Sequence, residues 1–74
     1  MDQTFDTVVE SSLQDLPPRY RQVVELVDID GLTYEQAADT LGVPVGTVMS
    51  RLHRARRRMR DQLAESGIAP RRTR

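Results

Sequence analysis

Apolar residues recur along the chain at helical spacing in four stretches, and residues that break helices stand between them. Phe5, Val8, Val9 and Leu13 predict a helix over about residues 4–15, ending before Pro17-Pro18 because a residue that precedes proline is pushed out of the α region. Tyr20, Val23, Val24 and Val27 follow the i, i+3, i+4, i+7 pattern of an amphipathic helix over about residues 18–29, closed by the turn pair Asp30-Gly31. Thr33 is a good N-cap, with Gln36 placed to reach back in a capping box, so a third helix starts there and runs to about Leu41. Gly42 follows, the residue type that most easily adopts positive φ, and Pro44 suits the first turn of the next helix, where its missing N–H has no partner to lose. The fourth helix is predicted over about residues 45–64, with Ser66-Gly67 ending it. There is no internal repeat and no strand pattern, so the fold class is all-α, a four-helix domain.

Length narrows the function. A chain of 74 residues makes one small domain at most and leaves no room for a two-layer enzyme around a deep pocket, so no enzymatic activity is expected. With no cysteine, disulfides and thiolate-zinc sites are excluded. The longest apolar runs span only a few residues, against about 20 for a membrane helix, and the acidic N-terminus lacks the basic start and apolar middle of a signal peptide. No membrane association is expected, and the expected compartment is the cytoplasm.

The zero net charge conceals a polarised chain. Residues 1–50 hold nine acidic and two basic side chains, while residues 51–74 hold nine arginines and two acids, giving formal charges of −7 and +7. Such asymmetry fits a nucleic-acid face at one end and a partner-binding face at the other; it also fits two sets of ordinary solvated charges. Every basic residue is arginine, which suits bidentate contacts to phosphate and guanine, although GC-rich coding produces the same preference.

Two short helices joined by a tight glycine turn form a helix-turn-helix unit, or alternatively a plain hairpin of a small bundle. Ala38 stands where the helices cross, Gly42 supplies the turn, and Val48 points back into the core. On a wheel of about 100° per residue with Val48 at zero, Val45, Leu52, Ala55, Met59 and Leu63 fall between about −20° and +60°, an apolar core stripe. The opposite side carries Gly46, Ser50, His53, Arg54 and Arg57 and is the candidate base-reading face. Thr47, Arg51 and Arg58 lie on one flank and Met49, Arg56 and Arg60 on the other, where a helix seated in the major groove meets the phosphate walls. Arg54 and Arg57 are candidates for bidentate contacts to guanine O6 and N7. The arginines surround too much of the helix to touch one duplex together, so some must be solvated or paired with acids of the preceding helices. Arg56, nearest the core stripe, is the candidate for a structural role. His53 has no companion ligands for a metal site and no nucleophile to serve as base, which leaves a base or phosphate contact, or plain solvent exposure. No metal and no cofactor are expected.

The segments Leu13-Gln14-Asp15-Leu16-Pro17-Pro18-Arg19-Tyr20-Arg21, Gly31-Leu32-Thr33-Tyr34-Glu35-Gln36-Ala37-Ala38 and Pro44-Val45-Gly46-Thr47-Val48-Met49-Ser50-Arg51-Leu52-His53-Arg54-Ala55-Arg56 together resemble region 4 of bacterial RNA polymerase sigma factors of the extracytoplasmic-function group. The resemblance covers about residues 8–64. It implies a sigma region 4-like helix-turn-helix domain over residues 5–65, with residues 1–12 forming a linker and the start of the first helix; residues 66–74, which hold Pro70, three arginines and too little apolar content to pack, are expected to be a basic, disordered tail. It also implies docking on the flap of the polymerase β subunit and recognition of the promoter minus-35 element in double-stranded DNA. Carried over by position, base or backbone contacts fall to Thr47, Ser50, His53 and Arg54, and phosphate contacts to Arg51 and Arg57. Thr33, Tyr34 and Glu35 would anchor the backbone through side chains and helix N-terminal amides. An anti-sigma factor or an activator protein is the further partner implied, and a protein-interaction module with DNA binding secondary is the alternative function. Two positions depart from the family pattern: Met49 stands where many relatives carry a basic residue, and His53 where some carry an aromatic. The family's domain 2 has no counterpart here, and the expectation is an excised domain rather than a free-standing protein.

Overall fold

The computed structural model describes the backbone of residues 3–65 and the side chains of residues 9–65. Its elements are α1 (Gln3–Asp15), α2 (Pro18–Val23), a π-helical segment (Val24–Ile29), α3 (Tyr34–Leu41) and α4 (Val45–Glu65). Among the described residues there is no strand. The side chains of Phe5 and Val8, the end of the last helix at Ser66-Gly67 and the tail over residues 66–74 lie outside the described residues.

The proline pair resets the chain as its chemistry demands. Pro17 takes φ −55° and ψ 149°, Pro18 occupies the first turn of α2, and the Pro17 carbonyl accepts from the amides of Tyr20 and Arg21. Arg21 then turns back to α1, its Nη1 donating to the carbonyls of Gln14 at 3.3 Å and Leu16 at 3.4 Å. These are carbonyls at and just beyond the C-terminal end of α1, where acceptors lack partners within the helix.

The second predicted helix is helical throughout but changes type half-way. From Val24 the bonds run to the fifth residue back, and Asp30 donates to the Glu25 carbonyl at 2.8 Å. Gly31, at φ 78°, reverses the chain so that the Leu32 amide reaches the Leu26 carbonyl at 2.9 Å. The extra residue per turn shifts the register over six residues and leaves Ile29 62% exposed at the end of the segment. Hydrophobic spacing predicts that these residues are helical; it does not separate an α turn from a π turn over so short a run.

The capping box at α3 has both halves. Thr33 Oγ1 accepts from the Gln36 amide at 3.0 Å, and Gln36 Oε1 accepts from the Thr33 amide at 2.9 Å. Gly42 ends α3 at φ 70°, ψ 36°, and the amides of Gly42 and Val43 both donate to the Ala38 carbonyl. Pro44 precedes α4 by one residue instead of entering its first turn, and its carbonyl accepts from Thr47 and Val48.

The core is where α4 meets the other elements. Val23, Ala37, Val48 and Ala55 are fully buried, and Leu13, Leu16, Tyr20, Val24, Ala38 and Leu52 nearly so. Alanine at 37, 38 and 55 lets the helix axes approach closely, while Val23, Val48 and Leu52 fill the centre, each worth about 1.5–3 kcal/mol of burial. Val48, Leu52 and Ala55 of the predicted stripe are buried and Val45, Met59 and Leu63 half-buried. Gln62 Nε2 ties the C-terminal part of α4 to Asp15 Oδ2 of α1 at 3.0 Å. No helix among the described residues is long and apolar enough to cross a membrane.

Candidate nucleic-acid interface

Because the stripe of α4 faces inward, the opposite side is presented outward along the whole helix. Gly46, Ser50, His53, Arg54 and Arg57 are exposed, and Thr47 and Arg51 on the flank are half-buried. All of this set but Arg57, which lines neither, falls into two hollows on either side of α4.

The first is a groove of about 350 Å³ between the start of α2 and the first three turns of α4. It gathers Thr47, Ser50, Arg51 and Arg54, together with Gly46, Arg19 and Tyr20. Arg19 and Tyr20 are additions that the wheel of α4 could not supply, since they come from another helix. Tyr20 is only 6% exposed, and the Arg19 and Arg58 guanidinium carbons stand 4.8 Å and 5.2 Å from its ring centroid. Hydrogen bonding from Arg54, then from Arg19, holds the Tyr20 phenol below its usual pKa of 10.0, against the opposing effect of burial.

The second hollow, also about 350 Å³, lies towards α3 and is lined by Tyr34, Met49, Leu52, His53, Arg56 and Arg60. His53 therefore sits with Tyr34, apart from Ser50 and Arg54. Met49 and Tyr34 are 49% and 37% exposed, two of the three large exposed hydrophobics among the described residues. Arg56 belongs to the fold as well, since it pairs with Asp28 of the π-helical segment. The carboxylate raises the Arg56 pKa above its ordinary value, with burial opposing and Tyr34 adding a smaller contribution. The structural role expected of Arg56 is thus present.

Thr33, Tyr34 and Glu35 are exposed at the N-terminus of α3. The capping box occupies the amides of Thr33 and Gln36, while those of Tyr34 and Glu35 are first-turn donors with no acceptor inside the helix. Both amides point the positive end of the helix dipole outward.

The sequence model of the family described as "Sigma-70, region 4" matches residues 7–59, most of the described chain, with all of α3 and α4 as far as Met59. The chain belongs to this family. The region 4 domain is 47% identical over 64 residues to the ECF RNA polymerase sigma factor SigE of Mycolicibacterium smegmatis, covering 86% of this chain and 25% of that protein. It is 39% identical over 61 residues to the ECF RNA polymerase sigma factor SigW of Bacillus subtilis, covering 82% and 33%. With the ECF RNA polymerase sigma-E factor of Escherichia coli K12 it shares 43% identity over 49 residues, 66% of this chain and 26% of the other. The region 4 chain thus spans about a quarter to a third of the length of these relatives.

One further surface stands apart from α4's outward side. A groove of about 400 Å³ is lined by Val9 and Leu13 of α1, Val24 and Ile29 of the π-helical segment, and Met59 and Leu63 of α4. Asp28, Arg56 and Arg60 also line this almost wholly apolar groove.

Proposed function

We propose that this domain recognises the minus-35 element of promoter DNA and docks on the β flap of RNA polymerase, serving transcription initiation in the cytoplasm. The observation that carries the reading is the two-sided build of α4, with a packed apolar stripe on one side and exposed Ser50, His53, Arg54 and Arg57 on the other. A helix so presented fits the B-DNA major groove. Ser50, Arg54 and Thr47 read bases from the side of α2, and His53 from the side of α3. Arg51 and Arg57 take phosphates. At α3 the amides of Tyr34 and Glu35 receive a phosphate, aided by the Thr33 and Tyr34 hydroxyls; the Glu35 carboxylate repels an anion, so its backbone makes the contact. The apolar groove between α1 and α4 supports the polymerase contact, since a flap helix needs an apolar seat.

Fluorescence anisotropy with duplex DNA tests the reading. Log affinity should fall linearly with log salt, with a slope of about −0.9 per neutralised phosphate, and a flat response overturns it. The isolated domain should bind near the non-specific range of about 10⁻⁴ to 10⁻⁶ M at physiological salt, because polymerase contacts supply the rest through effective concentration.

The apolar groove also favours a second reading, a module held by an anti-sigma factor or an activator protein. Charge reversal at Arg51 and Arg54 abolishes DNA capture and spares protein capture if the groove dominates; Ile29→Asp does the reverse.

A further inference from the structure

Arginines are long and mobile, and one that reads a base edge must be held before the duplex arrives or it loses rotamer freedom on binding. In this domain two guanidiniums stand over the ring of one side chain, and a third arginine lines the same groove. Arg19 comes from the first turn of α2, while Arg54 and Arg58 come from successive turns of α4. Tyr20 stands beside them, a core residue only 6% exposed that also lines the groove. The ring centroid lies 4.8 Å from the Arg19 guanidinium carbon and 5.2 Å from that of Arg58, within cation–π range. Arg54 lines the groove beside Tyr20, Thr47 and Ser50.

We propose that Tyr20 is a positioning residue for DNA reading, fixing Arg54 in the groove through its hydroxyl and holding Arg19 and Arg58 over its ring. This rests on the promoter reading above and deepens it. The two parts of the side chain do different work. The hydroxyl orients Arg54, which the promoter reading assigns to a base, so it governs discrimination between sequences. The ring gathers Arg19 and Arg58, whose charges attract any phosphate, so it governs affinity for all duplexes. The Tyr20 phenol responds to the same geometry, Arg54 being the largest cause of its lowered pKa.

The test uses the full 74-residue chain in three forms, wild type, Tyr20→Phe and Tyr20→Leu. The probe is a duplex enriched by the wild type from a randomised pool, with an unselected duplex as reference, both read by anisotropy at low salt. Tyr20→Phe should lower the affinity ratio of selected to unselected duplex about threefold to tenfold, the worth of one hydrogen bond, with unselected affinity and melting temperature nearly unchanged. Tyr20→Leu should lower affinity for both duplexes.

Arginine Nε–Hε resonances of the ¹⁵N-labelled free chain provide a readout that a purely structural role does not move. Tyr20→Phe should move the Arg54 signal towards the position of free arginine and leave the ring-shifted Arg19 and Arg58 signals in place, whereas Tyr20→Leu should collapse all three. A Tyr20→Phe chain with the wild-type ratio and an unmoved Arg54 resonance overturns the proposal while the promoter reading stands. A wild-type chain that enriches no duplex overturns the promoter reading and this inference with it.

Discussion

Arg56 reaches across the domain to Asp28, its Nε 3.2 Å from Oδ2 and its Nη2 bonded to Oδ1, a two-pronged pair that joins α4 to the π-helical segment. The two side chains are 49% and 34% exposed, so water screens the pair and its coupling energy should be about 0.2–1 kcal/mol. A double-mutant cycle with Asp28→Asn and Arg56→Gln, read by urea unfolding, measures that coupling. Because the Arg56 guanidinium is committed to Asp28, Arg56→Gln should also reduce DNA affinity less than Arg54→Ala.

Arg54→Ala separates reading from folding. Arg54 is exposed, so its truncation should change unfolding free energy by less than about 0.5 kcal/mol. On a selected duplex the same change should cost about 1–3 kcal/mol of binding and relax preference at one base position. Thermal melts and anisotropy on one preparation give both numbers; a large fall in melting temperature would assign Arg54 to the fold.

Ser12 is fully buried in α1, and its hydroxyl has no hydrogen-bond partner among the described residues. An unsatisfied buried hydroxyl costs about 1–3 kcal/mol, and alanine is the better helix former. Ser12→Ala should therefore stabilise the domain by about 1 kcal/mol, raising its melting temperature by about 4–8 °C for a domain of this size. A drop in melting temperature would show that the hydroxyl is satisfied in solution.

The Tyr20 phenol should titrate below 10.0, chiefly because of hydrogen bonding from Arg54. Since the folded pKa lies below the unfolded one, ionisation favours the folded state. This contribution is absent at neutral pH, grows as pH rises through the folded pKa, and is complete above the unfolded value. Phenolate absorbance in a Tyr34→Phe background, which leaves Tyr20 as the sole tyrosine, follows the titration directly. Adding Arg54→Ala should move the midpoint back up towards the ordinary value.

Two glycines make opposite predictions. At Gly42 a Cβ meets nothing within 4 Å, but φ is +70°, so Gly42→Ala should cost about 1 kcal/mol through backbone strain alone. At Gly46 the surroundings are equally open and the backbone is helical, so Gly46→Ala should stabilise the fold by up to about 1 kcal/mol. Chemical denaturation of the two variants side by side tests the signs.

Much of this domain could be read from local pattern. The helix limits near residues 15, 18, 41 and 45 follow from Pro17-Pro18, Gly42 and Pro44, because those residues act on their own backbone and immediate neighbours. The capping box is equally local, spanning Thr33 to Gln36. The stripe from Val48 to Ala55 was legible because helical geometry alone decides which side chains share a face.

Contacts between elements decided the rest. The position of Tyr20 among three arginines, the pairing of Arg56 with Asp28 and the division of Ser50 and Arg54 from His53 into separate hollows all depend on how α2 and α3 lean against α4. A helical wheel places residues around one axis and carries no information about a second. The π turn after Val23 belongs to the same class, since spacing over six residues fits both helix types. The chain by itself determined where helices start, stop and turn their apolar sides; only their packing determined which arginines are held by the fold, because that depends on distances between residues far apart in sequence.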